Sequence, residues 1–214
     1  MSASPRGDEL QRLREGCGEL GVSLSETQYD KLLRYLDLLY IWNRAAGLTT
    51  IPRENAVRLH LLDCLAARFA VDRGPCLDLG TGAGLPGMVL AIAAPAIDFV
   101  LVESNRKRCS FLLEVIRVLV VPNATVQQCD VESLPNDFRY PIVMSRAFRP
   151  PAEFLVIAAP LVASQGRVVL LMADPTQLTL DDLAAGSGMK VEGIRRLRLP
   201  GGGEPRSIVT LRAD

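Results

Sequence analysis

Between residues 25 and 42, apolar side chains fall at Tyr29, Leu32, Leu33, Leu36, Leu39 and Tyr40, the three-and-four spacing of a single helix face. Ser25 stands where an N-cap belongs, and Gln28, three residues on, completes a capping box. A second helix is predicted over 53–70, behind Pro52. From Cys76 the pattern changes to short apolar runs alternating with helical segments, as a parallel sheet with crossover helices requires. Strands are predicted at 76–79, 98–102, 124–128, 142–145 and 167–172. Between the second and third, residues 105–120 gather Phe111, Leu112, Val115, Ile116 and Leu119 on one face and turn Arg108, Glu114 and Arg117 away, a crossover helix. Two late strands near 190–196 and 207–212 flank Gly201, Gly202 and Gly203 and are placed as an antiparallel edge. The polar start of the chain and the loop from Pro200 to Pro205 read as flexible.

The expected architecture is α/β: one domain over 1–214, with a helical N-terminal extension in 1–72 and a Rossmann-like core in 73–214. A chain of 214 residues that is 49% hydrophobic and 22% charged is not disordered. With 24 basic and 24 acidic residues the formal net charge is zero, which excludes nucleic-acid binding by bulk charge and leaves only a local patch. Lysine occurs only at Lys31, Lys107 and Lys190; all other basic residues are arginine, suited to bidentate phosphate contacts and also explained by codon bias. No apolar run reaches the length of a membrane helix and no secretory leader is seen, so no membrane is expected as a partner. Cys17, Cys64, Cys76, Cys109 and Cys129 are scattered without C-x-x-C spacing, which predicts neither disulfides nor a metal site and fits a cytoplasmic location.

The chemistry concentrates at Asp78-Leu79-Gly80-Thr81-Gly82-Ala83-Gly84-Leu85-Pro86-Gly87, a buried strand entering a glycine-rich turn and then a helix. Glycines there let the backbone turn sharply and approach a ligand, and Pro86 suits a first helical turn. Glu103 ends the next strand about twenty residues on, where a carboxylate would accept hydrogen bonds from ribose hydroxyls. Asp130 and Glu132 follow the third strand, beside the expected adenine position. The same loop satisfies G-x-G-x-x-G, so a nicotinamide-binding protein is the remote alternative. It is disfavoured because the single histidine, His60, precedes the nucleotide-binding core, and because Asp78 would repel a pyrophosphate but favour a cationic sulfonium.

These residues resemble a known family. The run from Leu77 to Gly87, then Glu103-Ser104 with Lys107-Arg108 and Phe111-Leu112, Val131-Glu132, and Ser145-Arg146-Ala147-Phe148 are similar to the ribosomal RNA small subunit methyltransferase G family, also called glucose-inhibited division protein B. Asn43, Leu48-Thr49 and His60-Leu61-Leu62-Asp63 are similar to its helical region. The resemblance implies a class I S-adenosylmethionine-dependent methyltransferase sheet, S-adenosyl-L-methionine contacted at Gly80, Leu85, Val131, Glu132 and Arg146, and methylation of guanine N7 in 16S rRNA by a monomer acting on the RNA or the small ribosomal subunit. With the residues read directly, the expected cofactor site is Asp78, Gly80, Gly82, Leu85, Glu103, Val131, Glu132 and Arg146.

Arg146, at the end of the fourth strand, has three candidate partners: RNA phosphate, the methionine carboxylate or a structural acid. His60 and Asp63 share a helix face on which they can pair, either closing over the substrate or locking the helical extension onto the core. Phe148 is expected either to stack on a flipped or unpaired guanine or to pack in the core. The chain departs from the family pattern at Gly47, at Met172-Ala173 and at Arg149-Pro150-Pro151. Because guanine N7 carries a free lone pair, no catalytic base is assigned. The alternatives are a small-molecule or protein methyltransferase, or an inactive cofactor-binding homologue.

Overall fold

A computed structural model describes residues 5–135, 137–146, 149–173 and 187–213. Seven strands form one sheet: β1 Cys76–Leu79, β2 Phe99–Glu103, β3 Ala124–Gln128, β4 Tyr140–Arg146, β5 Val162–Ala173, β6 Lys190–Arg198 and β7 Pro205–Arg212. Their order is β3-β2-β1-β4-β5-β7-β6. The first five are parallel, and β7 pairs antiparallel with both β5 and β6, the antiparallel edge that the triple-glycine loop implied. Alternation along each strand feeds two cores: Cys76, Leu101, Ile142 and Val169 face one side, Leu77, Val102, Val143 and Val168 the other.

The helical extension covers the first of these faces. Helix α2, Glu26–Ala46, starts on the expected capping box and ends on Gly47 in the left-handed region, φ 57°. Glycine takes that conformation without strain, so Gly47 suits the end of the helix. Gln28 also donates from Nε2 to the carbonyls of Ile92 and Ala93, 3.0 and 3.1 Å, tying α2 to the end of α4, Gly87–Ala93. Helix α5, Arg106–Leu119, is capped by Asn105 and buries Phe111, Leu112, Val115 and Leu119. Helix α6, Pro151–Ala158, covers the opposite face with Phe154, Leu155 and Ala158.

Three expectations are corrected. The polar start is a helix, α1, Pro5–Leu20. It has few apolar residues, but Leu13 and Cys17 are fully buried, and the buried Glu9 receives a two-pronged bond from Arg53, 2.7 Å at each oxygen. The loop after β6 is tied down: Gly202 and Gly203 give their carbonyls to Arg58 and Arg198 at 2.7 and 2.9 Å. The helix predicted over 53–70 is not uniform. Its first turn, Arg53–Ala56, widens into a π-helical segment, Val57–Leu62, before Asp63–Leu65 and a 3-10 turn at Arg68–Ala70. This stretch from 53 to 65 is called α3 below. The widened turn leaves the Leu59 carbonyl to accept from Arg146 at 3.0 Å.

Candidate functional site

In an open parallel sheet, ligands bind beyond the carboxyl ends of the strands where the strand order reverses. Here that point lies between β1 and β4, with β2 on the other side of β1. The loop leaving β1 holds Gly80, Gly82 and Gly84 at φ 64°, 61° and 90°, a turn that only glycine makes without strain. Thr81 N–H donates to the Val102 carbonyl, 2.9 Å, so the loop leans over the end of β2. At Gly87 an added Cβ would stand 2.4 Å from Leu101 and 2.6 Å from Asp78, so this glycine is needed for close packing of α4 on the sheet. At Gly82, by contrast, nothing lies nearer than 4.0 Å, and the main chain borders open space that a ligand can enter.

Asp78 lies beneath this loop, fully buried. Its Oδ2 accepts from Thr81 Oγ1 at 2.5 Å and Gly87 N–H at 2.8 Å, while Oδ1 is buried with no partner among the described residues. Burial pushes its pKa up to about 7 against the pull of those two hydrogen bonds and of Arg146. Glu103, at the end of β2, accepts from Gly82 N–H at 3.0 Å and Asn105 N–H at 2.8 Å, with Arg108 at 3.6 Å. Each carboxylate oxygen has a second lone pair beyond these bonds.

A cleft of about 780 Å³ opens above the loop. Gly80, Gly82, Leu85 and Arg146, predicted from sequence, all line it, together with Thr81 and Ala83. Asp78, Glu103, Val131 and Glu132 do not: Asp78 lies under the loop and Glu103 behind it. Val131 is buried in the second core in a turn after β3, and Glu132 beside it pairs with Arg149. Phe148 lies outside the described residues.

The opposite wall of the cleft comes from the helical extension. Asn43 fixes it, accepting at Oδ1 from Leu48 N–H and Thr49 N–H, 2.6 and 2.8 Å, and donating to the Thr49 carbonyl at 2.9 Å. Thr49 Oγ1 meets His60 Nε2 at 2.9 Å. His60 and Asp63 do not pair: Asp63 instead accepts from Arg146 Nη1 at 2.9 Å and faces Arg206 Nε at 3.4 Å. Burial, then the nearby Arg146 cation, hold His60 down to about 4, so its ring is neutral at pH 7.

Sequence reading missed two residues here. Arg206 reaches the cleft because β7 runs antiparallel to β5 with Ala173 opposite Arg206, a register that no local motif encodes. Tyr35, fully buried on α2, donates from its hydroxyl to the Ala83 carbonyl of the glycine loop at 2.8 Å. The apolar face read along α2 leaves Tyr35 out, and nothing local marks the carbonyl its hydroxyl meets 48 residues on. Tyr35→Phe should leave that buried carbonyl unpaired and cost about 1–3 kcal/mol of stability, with a weaker cofactor affinity, both read by denaturation and calorimetry. Unchanged cofactor affinity would show that the loop does not need this anchor.

The family described as rRNA small subunit methyltransferase G matches residues 28–209. A ribosomal RNA small subunit methyltransferase G from Methylococcus capsulatus is 39% identical over 202 residues, covering 94% of this chain and 97% of the relative. The protein of the same name from Cupriavidus pinatubonensis is 33% identical over 219 residues, covering 95% and 93%. Among solved structures, a glycopeptide N-methyltransferase, MtfA, aligns with a TM-score of 0.59 at 12% identity, covering 77% of this chain and all of that one, 100%. A ribosomal protein L11 methylase from Lactobacillus delbrueckii subsp. bulgaricus gives 0.58 at 12% identity, covering 78% and 83%. At such identities the structural likeness shows the fold alone, the class I methyltransferase sheet.

Proposed function

The chain belongs to the rRNA small subunit methyltransferase G family, and on that premise we propose that it transfers a methyl group from S-adenosylmethionine to N7 of a guanine in 16S rRNA. It is an S-adenosylmethionine-dependent rRNA methyltransferase; the target atom and the assignment of each residue are the proposal. The observation that carries it is the cleft at the β1–β4 switch point, with bare glycine backbone on one wall, the helical extension on the other, and Arg146 and Arg206 reaching in from β4 and β7.

The residues present fit the cofactor. The open face of Gly82 admits a ligand to the main chain, and the Glu103 carboxylate, held by two backbone N–H groups, keeps acceptor capacity for ribose hydroxyls. Gly80, Gly82 and Leu85 would shape the methionine pocket, Asp78 would hold the loop from below, and Val131 with Glu132 would border the adenine. When bound, the cofactor supplies an electrophilic methyl group on a sulfonium.

Guanine N7 needs no base, because its in-plane lone pair is already free. The cleft accords with this: His60 is neutral and engaged with Thr49, and Asp63 is shared by Arg146 and Arg206. The protein's contribution is then alignment, worth up to about 7–11 kcal/mol in well-oriented systems. Arg146 and Arg206 place positive charge where an RNA phosphate would pass. Segments 1–72 and 73–214 would work as one unit, since both walls are needed, in a cytoplasmic monomer. In the described residues no helix is long and apolar enough to cross a membrane.

The test is methyl transfer from labelled cofactor to small subunits that lack the modification, followed by mass mapping of the methylated base. Transfer to a guanine, with the label stable as a 7-methyl group, is the expected result; a label found only on protein would overturn it. In the same assay Glu103→Ala should weaken cofactor affinity roughly 10- to 150-fold, matching about 1.5–3 kcal/mol for hydrogen bonds to a charged acceptor.

A further inference from the structure

We propose that a second cavity, at Phe69 and Arg195 on the far side of the helical extension, is an additional contact for the RNA substrate and takes an unpaired nucleotide. It rests on the reading of rRNA as the substrate. The cavity, about 400 Å³, is lined by Val22, Ser23, Leu65, Arg68, Phe69 and Arg195 among others, and among the described residues no carboxylate is in its wall. The Arg195 guanidinium carbon sits 4.7 Å from the centroid of the Phe69 ring, and that ring is 48% exposed.

Many arginines in this chain of zero net charge are matched to acids, Arg6, Arg53, Arg117, Arg146, Arg167 and Arg206 among them. Arg195 is exposed and makes no ion pair among the described residues; its ordering comes from an aromatic ring instead. A planar cation fixed in this way keeps its in-plane N–H donors for phosphate and offers a flat face to a base, the two contacts single-stranded RNA uses. Arg68, in the same wall, spends Nη1 on the Val71 carbonyl and adds a second cation. An acidic peptide would be drawn by the charge but has no use for the stacked plane.

The placement sets the geometry of the substrate. The wall includes Ala93, the last residue of α4, whose first residue follows the glycine loop, so the cavity lies towards the opposite edge of the sheet from the cleft. From His60 in the cleft wall to Phe69 the chain advances nine positions, out of the π-helical segment, through Asp63–Leu65 and into the 3-10 turn. RNA engaged at both places must run along the outside of the helical extension, so its footprint exceeds the target nucleotide and its immediate neighbours.

The test uses the full chain and a 16S rRNA transcript, with binding measured across a salt series and methyl transfer measured at saturating RNA. Arg195→Ala should weaken RNA binding about 5-fold or more and lower the salt slope by about 0.7, while cofactor affinity and the rate at saturating RNA stay as in the wild type. Arg195→Lys should keep the slope but lose part of the affinity, because it keeps the charge without the plane; Arg195→Glu should be worse than alanine. These three also guard against a misfolded single variant, as each is checked by thermal melting. RNA affinity within about 2-fold of wild type in folded Arg195→Ala and Arg195→Glu overturns the proposal while wild-type transfer to RNA still stands. Loss of activity on assembled subunits without any loss of RNA binding also overturns it, since the partner would then be protein. A wild-type chain that neither binds nor methylates RNA overturns the functional reading together with this one.

Discussion

Arg146→Ala is expected to destabilise the protein by about 3–5 kcal/mol, the cost of stranding one member of a buried ion pair. Asp63 is 7% exposed and takes its shortest bond, 2.9 Å, from Arg146, which also satisfies the Leu59 carbonyl in the widened turn of α3. Arg206, at 3.4 Å, keeps some positive charge near Asp63, which favours the lower end of that range. The pair also lines the cleft, so stability and catalysis must be separated. Replacing both partners, Arg146→Met with Asp63→Leu, removes the stranded charge and should return most of the lost stability, because apolar replacements of buried pairs are often neutral. Arg206, with a side chain 28% exposed, can then turn to water. Methyl transfer should remain lost in the double variant if Arg146 also serves the substrate. Urea denaturation and the transfer assay decide between the two: a double variant that regains both stability and full activity would make Arg146 a structural partner of Asp63 and nothing more.

The parts of this fold that are legible in the sequence are those whose pattern is local. Strands β1 and β3 fall where their apolar runs end, and α5 buries Phe111, Leu112, Val115 and Leu119 of the apolar face read for it. The glycine loop is equally plain, because each left-handed glycine is required by a turn next to it in the chain. Helix α1 was hidden because a large part of what it buries is the Glu9 carboxylate, and a buried acid carries no apolar signal; its partner Arg53 is 44 residues away. The π-helical turn of α3 was hidden for a similar reason, since the Leu59 carbonyl finds Arg146 across 87 residues. In the site, Gly80, Gly82, Leu85 and Arg146 were legible as motif residues, while Arg206 and Tyr35 depend on sheet register and helix docking. Asp78 and Glu103 were legible as acids near the loop, but not as the groups that brace it from below and behind.

Two buried groups near that loop should oppose one another as pH changes. Asp78 rises from an ordinary 3.8 to about 7 in the fold, so between those values the native state holds a proton the unfolded chain has released. Its effect is a loss of stability as pH climbs from about 4 to about 7, near 4 kcal/mol in all at about 1.4 kcal/mol per unit. His60 falls from 6.5 to about 4, so here the unfolded chain holds the extra proton, and stability is lost as pH drops from about 6.5 to about 4, by roughly 3 kcal/mol. Over the shared window the two slopes have opposite sign and similar size, so the wild type should be nearly flat with respect to both. Single substitutions expose each slope. Asp78→Asn should make the protein gain roughly 3 kcal/mol as pH rises from 4 to 6.5, since only the histidine effect remains. His60→Gln should make it lose about 4 kcal/mol between pH 4 and 7. Any fixed cost of placing an amide in the Asp78 pocket moves the whole curve without tilting it. Urea denaturation at half-unit pH steps reads both slopes, and parallel curves for wild type and Asp78→Asn would show that Asp78 is ionised in the native protein throughout, with the Oδ1 face reached by water or by another donor.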